Sequence, residues 1–538
     1  MKQATRRLAC RMLGACIALG LAGSAAAQTK APYNVAVKYD GATHSATLSW
    51  TSDAPLAYGF AIERRLLGSA TWSQVAFKSE PVRSYTDRGL APLKRYEYRV
   101  KAYRSGARSD FYPSAAVATA VNFPYNAPYP FGIRPSNFSQ DQMNADVRDM
   151  YTLWRATYVT SAGAGSGGKR VYKPAEGGGT VSEGQGYGML ISVFMADDDN
   201  GGKADFDAML VYYRAHMKTN ADGSTRNLMD WSINADGSTA DPWVAPDGDL
   251  DAAFSLLVAD HKWGSGNGNP NYLGEAQGII NALQKYVVFN RVTTASKLIA
   301  NADKDLTWQE GAGSYTMSSY QMVGYMRQFA SASDSTRAAQ WLDTLKSGYE
   351  AFNYFYKTNP GTALTPFTFL TQPGLKQYLK GSKGYTFGPD SCRVPWRIGM
   401  DYIWHGNANS SWAHGLDPAV SAALAQDMPK VNVNWFMGST GGNPSAMWYT
   451  YQLNGTPAST IHWGQRHTAG SMAAGALTDV SSQQQLNTLY AWMRQQIPGQ
   501  DYNGGGYRVP AEYFGDTVLM LNMIMVTGNM PDLPEVLQ

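Results

Sequence analysis

Three acidic residues stand where a loop gives way to an apolar helix pattern, and such positions suit acid–base chemistry. Glu183 lies in the run SEGQGYGM at 182–189, Asp247 in PDGDLDAAF at 246–254, and Asp390 in GPDSCRVPWR at 388–397. Each carboxyl group can cap the free N–H groups at a helix start, where the helix dipole also favours a negative charge. Alternatively, each can project into a cleft formed by the loops and react there.

Carboxyl groups acting together can break a glycosidic bond. One must be protonated to donate to the leaving oxygen, and another must be ionised to attack or to activate water. The three acids lie 64 and 143 residues apart along the chain, so only the fold could bring them together. Structural roles also remain open: we expect Asp249 to cap the following helix, and an ion pair with Arg393 explains Asp390 almost as well.

The three motifs, in this order, resemble those of glycoside hydrolase family 8. The resemblance rests on the run at 182–189, on Asp247 with Gly248, Asp249, Ser255, Ala259 and Trp263, and on Asp390 with Arg393, Pro395, Trp396 and Arg397. The run YFGD at 513–516 is also similar, and the resemblance extends over residues 128–538. Two positions depart from the family pattern: Pro389 replaces an aromatic residue common before the base, and Pro246 replaces a small hydroxyl residue.

This resemblance implies an (α/α)6 barrel with a cleft across one end, and hydrolysis of β-1,4-linked polysaccharides with inversion at the anomeric carbon. It implies that Glu183 is the general acid, Asp390 the general base, and Asp247 the residue that holds the distorted sugar. An inverting acid and base stand about 6.5–9.5 Å apart, which leaves room for the attacking water. No cofactor is implied.

The motifs at 182–189 and 247–251 look more like the cellulase members of the family than the xylan-active ones. We therefore predict a secreted, inverting endo-β-1,4-glucanase, with a β-1,4-linked polysaccharide or oligosaccharide as its partner. A xylanase, a reducing-end exo-oligosaccharidase and a chitosanase remain alternatives within the family. An alternative of another class is a non-catalytic carbohydrate-binding or adhesion protein.

Aromatic residues near the acids are candidate substrate-binding residues, because pyranose faces stack on aromatic rings. Among them we prefer Tyr187 and Trp231. Arg393 is a further candidate, and its charge would help to keep Asp390 ionised. The complete aromatic set is Tyr187, Trp231, Trp243, Trp396 and Tyr402.

The composition suits an uncharged, hydroxyl-rich ligand. Only 16% of the residues are charged, against a usual fraction of about 25%, while Trp and Tyr number 15 and 33. The formal net charge of +3 falls to −1 without a leader that holds four basic residues and no acidic one, so nucleic acid is not an expected partner. No metal site is predicted, since the candidate histidines lack ligand spacing; they are His405, His414, His462 and His467.

Residues 1–27 have the layout of a secretory signal peptide: basic residues, an apolar run at 12–21, and three alanines at 25–27. We therefore expect an extracellular or periplasmic protein, and we expect it to be a monomer. Beyond the leader, Cys392 is the remaining cysteine, which excludes an intramolecular disulfide. No later apolar run reaches the 18 residues of a membrane span.

The elements that must position the acids follow an all-β region. Residues 31–120 alternate in short period-two runs, which predicts a β-sandwich with Trp50 in its core. The run LAP at 90–92 followed by Tyr96 resembles the tyrosine corner of a fibronectin type III domain, which would be a spacer, a docking module or a passive domain. Residues 121–136 are rich in proline and predict a stiff linker.

Residues 137–538 are predicted to form the helical domain, because apolar residues recur there at spacings of three and four. We find no motif that repeats at a fixed period, so periodicity alone leaves a toroid, an α-solenoid and an irregular bundle open. The expected helices lie at 140–158, 184–196, 204–217, 250–263, 274–288, 319–330, 337–356, 394–404, 418–426, 470–477, 483–496 and 517–526.

Overall fold

The structure is a computed structural model in two compact units. Among the described residues, one unit lies within 30–38, 46–87 and 96–117, and the other within 39–45, 88–95 and 118–533. The predicted signal peptide lies outside the described residues, and the predicted domain boundaries stay predictions. The described residues are 30–533 without 41–42, 55–57, 68, 105–106, 112, 119–121, 267, 289–296, 304–313, 373–374, 381–384, 408–419, 461–465, 501, 505–506 and 510–511.

Two small antiparallel sheets occupy the N-terminal region, with strand orders β1-β2-β5 and β4-β3-β6-β7, and β8 beside β6. The alternation seen in the sequence places every second residue of β2 and β6 inside. Trp50 is buried and its ring centroid lies 5.4 Å from that of Phe60. The fibronectin type III resemblance itself stays a prediction. The strands are β1 Tyr33–Asp40, β2 Ser45–Thr51, β3 Gly59–Leu66, β4 Ser73–Ser79, β5 Ser84–Asp87, β6 Arg95–Arg104, β7 Ala107–Arg108 and β8 Ala115–Ala118.

Twelve α-helices follow within the described part of the chain, linked by loops that carry short hairpins. The helices are α1 Gln140–Tyr158, α2 Ser182–Met195, α3 Gly202–Ala215, α4 Pro246–Trp263, α5 Tyr272–Tyr286, α6 Val323–Ser331, α7 Ser335–Thr358, α8 Val394–His405, α9 Leu424–Ser439, α10 Arg466–Ala476, α11 Gln483–Met493 and α12 Tyr513–Val526. The short strands of these loops are β9 Val159–Thr160, β10 Arg170–Val171, β11 Thr180–Val181, β12 Met217–Thr219, β13 Thr225–Met229, β14 Ser232–Ile233, β15 Thr239–Asp241, β16 Ser314–Met317, β17 Thr368–Gln372, β18 Leu375–Lys380, β19 Tyr502–Gly504 and β20 Tyr507–Val509.

The even-numbered helices form a closed inner ring. Each contacts the next even-numbered helix, and α12 returns to α2, while each odd-numbered helix packs outside an inner neighbour. Helices α2 and α12 are apolar on nearly all sides and are buried along almost their whole length, as expected for an inner ring. This arrangement is an (α/α)6 barrel. None of the described helices has the length and apolar character needed to span a bilayer.

Two expectations about the helical region are corrected. The helix expected at 418–426 is instead α9, which begins at Leu424 and continues through Pro429, a residue that normally breaks a helix interior. A repeat was also missed: NADGST occurs at 220–225 and again at 234–239. Both copies form a hairpin turn closed by equivalent hydrogen bonds, Asn220 N to Ser224 O and Asn234 N to Ser238 O, each 2.8 Å.

Candidate active site

Helices α2 and α4 carry two of the three acids, and glycines let these helices approach closely. Glu183 is the second residue of α2, and Asp247 is the second residue of α4. A Cβ atom on Gly186 would lie 2.3 Å from the carbonyl oxygen of Gly248, and one on Gly248 would lie 2.3 Å from the carbonyl carbon of Ser182. These contacts require residues without a side chain. They bring Glu183 and Asp247 together at one end of the barrel.

Arg393 joins the three acids. Its side chain is fully buried, and its Nη1 atom lies 2.8 Å from Oε2 of Glu183 and 2.9 Å from Oδ2 of Asp247. Its Nη2 atom lies 3.0 Å from Oδ1 of Asp390, the residue that precedes the short turn Ser391–Arg393 and α8. Three carboxyl groups from distant parts of the chain therefore share one positive charge.

The surroundings of Glu183 favour the protonated form of its carboxyl group. Burial raises its pKa to about 8; Arg393 opposes this rise, whereas the charges of Asp247 and Asp390 add to it. Tyr513 donates a hydrogen bond of 2.9 Å to Oε1 of the same carboxyl group. A proton retained on a carboxyl group at neutral pH is what a general acid requires.

Asp390 is the acid that water reaches most easily. Its side chain is 36% exposed, compared with 12% for Glu183 and 3% for Asp247. The pKa of Asp390 is raised overall, because burial and the charge of Asp247 outweigh the lowering effect of the adjacent Arg393 guanidinium. When ionised, a carboxylate with access to water can accept a proton from that water.

The acids face a cleft with a volume of about 530 Å³. All three line it, together with aromatic, acidic and small apolar side chains. The lining residues outside the acids include Lys173, Glu176, Trp231, Trp243, Asn301, Tyr320, Pro389, Tyr449, Glu512, Tyr513 and Phe514. A larger depression of about 720 Å³ lies between α5 and α7, away from the acids, and none of them lines it.

Five aromatic residues were predicted to stack on sugar rings, and the structure divides them into two groups. Trp231 and Trp243 line the cleft with 43% and 39% of their surface exposed. Tyr187 and Trp396 are fully buried and Tyr402 is 7% exposed. Because a ring needs a free face to stack on a sugar, these buried positions argue against the stacking role for the second group. The preference for Tyr187 is thus corrected.

Tyr187 and Arg393 instead contact each other inside the site. The Nη1 atom of Arg393 donates a hydrogen bond of 2.8 Å to the hydroxyl oxygen of Tyr187. The hydroxyl group therefore helps to hold the guanidinium where it meets the acids. Tyr402 packs elsewhere, with its ring centroid 6.4 Å from that of Phe131.

Asp249 was expected to cap a helix, and this expectation is wrong. Helix α4 begins at Pro246, so Asp249 lies within its first turn and makes no cap hydrogen bond. Its fully buried carboxyl group accepts hydrogen bonds from the hydroxyl group of Tyr213 and from the backbone N–H of Met229, the latter at 2.9 Å. Burial raises its pKa to about 8. Asp249 therefore fixes β13, which leads to Trp231.

Among the described residues, no group of three or more His, Cys, Asp and Glu side chains is arranged to hold a metal ion. Of the histidines considered from sequence, His414 and His462 lie outside the described residues. His467 is buried, and burial together with Arg393 lowers its pKa to about 3. It is therefore neutral at the pH values at which most proteins function.

Sequence reasoning did not assign a role to Tyr513, although it lies in the YFGD motif. Its position directly before the apolar pattern of α12 repeats the placement of Glu183 before α2, and this placement could have identified it. Tyr320, Tyr449 and Glu512 also line the cleft. They carry no comparable signal, because they come from irregular loops and helix ends whose positions depend on the fold.

Comparison with known proteins supports this arrangement. Residues 121–427 match the model of the family described as glycosyl hydrolases family 8. A β-glucanase of Niallia circulans is 30% identical over 427 residues, covering 78% of this chain and 93% of that protein. An endoglucanase of Bacillus sp. (strain KSM-330) is 29% identical over 438 residues, covering 77% and 83%.

A solved structure, the apo form of a β-1,3-1,4-glucanase from Paenibacillus sp.X4, superposes with a TM-score of 0.64. It is 27% identical, and the superposition covers 76% of this chain and 98% of that one. The family match extends over more than half of the chain, and it includes the segments that carry all three acids. The chain therefore belongs to glycosyl hydrolases family 8, and the protein is a glycoside hydrolase.

Proposed function

We propose that this protein is a secreted, inverting endo-β-1,4-glucanase that cleaves internal bonds of cellulose or related β-glucans. The observation that carries the proposal is the contact of Glu183, Asp247 and Asp390 with the single guanidinium of Arg393 at a cleft. The β-glucanase and endoglucanase names of the relatives favour a glucan.

In the proposed mechanism, Glu183 donates its proton to the leaving glycosidic oxygen. Asp390 takes a proton from a water molecule that attacks the opposite side of the anomeric carbon. Glu183 and Asp390 each contact a terminal nitrogen of the Arg393 guanidinium. This arrangement is wide enough for the separation of about 6.5–9.5 Å between the acid and the base that inverting enzymes use. Asp247 contacts the same nitrogen of Arg393 as Glu183, and we assign it to holding the distorted sugar.

Secretion is part of the proposal because residues 1–27 have the layout of a signal peptide. We further propose that residues 31–120 form a fibronectin type III-like domain. The buried Trp50 and the two antiparallel sheets support this assignment.

The test is to assay the purified full-length protein on carboxymethyl cellulose, mixed-linkage β-glucan, xylan and chitosan. Viscosity and reducing ends are followed together, because internal cleavage lowers viscosity early, when few reducing ends have formed. The anomer released first is identified by NMR. We expect activity on a β-glucan, an early fall in viscosity and release of the α-anomer from a β-linkage.

Each contrary result overturns a defined part of the proposal. Release of the β-anomer would contradict the inverting mechanism. Activity restricted to xylan or chitosan would contradict the glucan assignment, and reducing ends without loss of viscosity would indicate exo action. Binding to glucans without any hydrolysis would favour the alternative of a carbohydrate-binding protein.

A further inference from the structure

Trp243 is fixed by contacts that the catalytic mechanism does not use. Its backbone N–H donates a hydrogen bond of 3.0 Å to Oδ1 of Asp241. The next residue, Val244, donates its N–H to Oδ1 of Asp303 at 3.1 Å. The ammonium group of Lys218 lies over the indole ring, 4.8 Å from its centroid. The backbone and the ring of Trp243 are therefore both restrained.

Lys218, whose ammonium group lies over the ring, forms an ion pair with Asp303. The Nζ atom of Lys218 lies 2.8 Å from Oδ2 of Asp303, and the two side chains are only 15% and 3% exposed. Lysine and aspartate are rarely buried unless they are paired, and burying such a pair carries a desolvation cost. Because burying this pair costs free energy, we expect it to hold another group in place. The ammonium group of the pair contacts the exposed indole of Trp243.

Backbone hydrogen bonds also connect Trp243 to the segment that carries Glu183. The backbone N–H of Trp231 donates to the carbonyl oxygen of Trp243 at 2.8 Å. The N–H of Ser182, the residue before Glu183, donates to the carbonyl oxygen of Trp231, also at 2.8 Å. A continuous set of hydrogen bonds thus connects Asp303 to the start of α2. The position of the exposed ring is fixed relative to the position of the proton donor.

We propose that Lys218 and Asp303 are positioning residues that hold the ring of Trp243 as a platform for a sugar of the bound glycan. The proposal rests on the proposed function, since it places a glycan in the cleft. Trp243 lines the cleft and 39% of its surface is exposed, so a bound ligand can contact it. A side chain that is ordered before binding loses less entropy when the ligand arrives.

The chain offers a matched control in Arg226. Its Nη1 atom lies 2.5 Å from the same oxygen of Asp303 that Lys218 contacts. Its guanidinium lies over Tyr286, at 4.5 Å from the centroid, instead of over Trp243. Lys218→Met and Arg226→Met each remove one cation from Asp303, but only Lys218→Met removes the cation that lies over the ring of Trp243.

The experiment measures kcat and KM of the full-length enzyme on mixed-linkage β-glucan for Lys218→Met, Arg226→Met, Lys218→Arg and Trp243→Ala. We expect Lys218→Met to raise KM about two- to tenfold with kcat nearly unchanged, as expected from the cost of ordering one side chain. Arg226→Met should leave KM unchanged. Lys218→Arg retains a cation that can lie over the ring and pair with Asp303, and it should restore KM.

A double-mutant cycle separates positioning from a general loss of stability. In the Trp243→Ala background, Lys218→Met should raise KM no further, because the ring that it restrains is absent. Equal effects of Lys218→Met and Arg226→Met, or effects that add in the cycle, would overturn the positioning role. All of these outcomes are measured on an enzyme that hydrolyses glucan. If the wild-type protein hydrolysed no glucan, the proposed function would be overturned instead.

Discussion

Two arginines, one helical turn apart at the start of α8, are buried equally and are used differently. Arg393 and Arg397 each have no exposed surface, and each meets a carboxyl group of α4. We call Arg393 with Glu183, Asp247 and Asp390 the cleft cluster. We call Arg397 with Asp251 and Tyr325 the inner cluster.

The clusters differ in the balance of charge. In the inner cluster, Arg397 pairs with Asp251 through two hydrogen bonds of 3.0 and 2.8 Å, so one positive charge meets one negative charge. Tyr325 donates a third hydrogen bond to the carboxylate, at 2.7 Å. In such a pair each ion compensates the buried charge of the other, so that the loss of either partner would leave an unpaired buried charge.

In the cleft cluster, one positive charge meets three carboxyl groups. Not all three can ionise cheaply, because like charges in a poorly solvated site raise each other's pKa. Burial, to which the charges of Asp247 and Asp390 add, raises the pKa of Glu183 to about 8 and so favours its protonated form. The comparison teaches that an excess of carboxyl groups around a buried cation distinguishes a reactive site from a structural ion pair on the same helices.

The largest expected effect is in the cleft cluster. Glu183→Gln removes the transferable proton but retains the shape of the side chain. We expect kcat to fall by about 10²- to 10⁴-fold on mixed-linkage β-glucan, the usual contribution of a general acid. Binding of oligosaccharides, measured by calorimetry, should persist.

The control for Glu183→Gln makes the same chemical change outside the cleft. Glu275 lies on α5 and pairs with Arg214 near the surface. Glu275→Gln should retain the activity of the wild type. Wild-type activity in Glu183→Gln would contradict the assignment of Glu183 as the general acid. The cleft cluster would then be no more reactive than the inner cluster.

The second prediction concerns the inner cluster. Asp251→Asn leaves the buried charge of Arg397 without its partner, and such a loss costs about 3–5 kcal/mol of unfolding free energy. We expect a lower Tm in calorimetry and a lower denaturant midpoint. Molecules that remain folded should still hydrolyse glucan, since Asp251 does not line the cleft. Loss of activity at unchanged stability would show that the inner cluster takes part in the reaction.

A third prediction uses two tyrosines: Tyr513, which contacts Glu183 of the cleft cluster, and Tyr325 of the inner cluster. Hydrolysis requires protonated Glu183, so kcat/KM should fall as the pH rises through about 8. The hydrogen bond from Tyr513 lowers the pKa of Glu183. Tyr513→Phe should therefore raise this pKa and move the alkaline limb of the pH profile to higher pH.

The matched change is Tyr325→Phe in the inner cluster. It removes one hydrogen bond to Asp251 and should reduce stability by about 1 kcal/mol without moving the alkaline limb. A limb that moves in Tyr325→Phe, or one that moves to lower pH in Tyr513→Phe, would contradict the separation of the clusters.

The sequence predicted only the local part of the cleft cluster and did not predict the inner cluster. Loop-to-helix patterns placed Glu183, Asp247 and Asp390 at helix starts, and the spacing of three indicated the pair of Asp390 with Arg393. Glu183 and Asp247 reach Arg393 from 210 and 146 residues away. Contacts over such distances follow from the closed ring of helices, which periodicity alone did not distinguish from a solenoid or an irregular bundle.

Local spacing also failed for the aromatic residues, for a physical reason. Trp231 and Trp243 follow short strands in loops, and their exposure agrees with the predicted role. Tyr187 and Trp396 lie on inner helices, which are buried on nearly every side. Residues close to an acid along the chain therefore also lie close to that acid in space. The surrounding helices, however, cover the faces of the Tyr187 and Trp396 rings.

The smallest expected effect tests this last distinction. Tyr402 is eight residues after Val394, the first residue of α8, a rise of about 12 Å at 1.5 Å per residue, and it packs near Phe131 instead of the cleft. We expect Tyr402→Phe to leave kcat and KM on mixed-linkage β-glucan unchanged. Trp231→Ala, which removes an exposed ring, should raise KM by about tenfold, equivalent to about 1.4 kcal/mol. A comparable rise in KM for Tyr402→Phe would mean that a residue far from both acids reaches the substrate, and the cleft would have to extend beyond the end of the barrel where Arg393 lies.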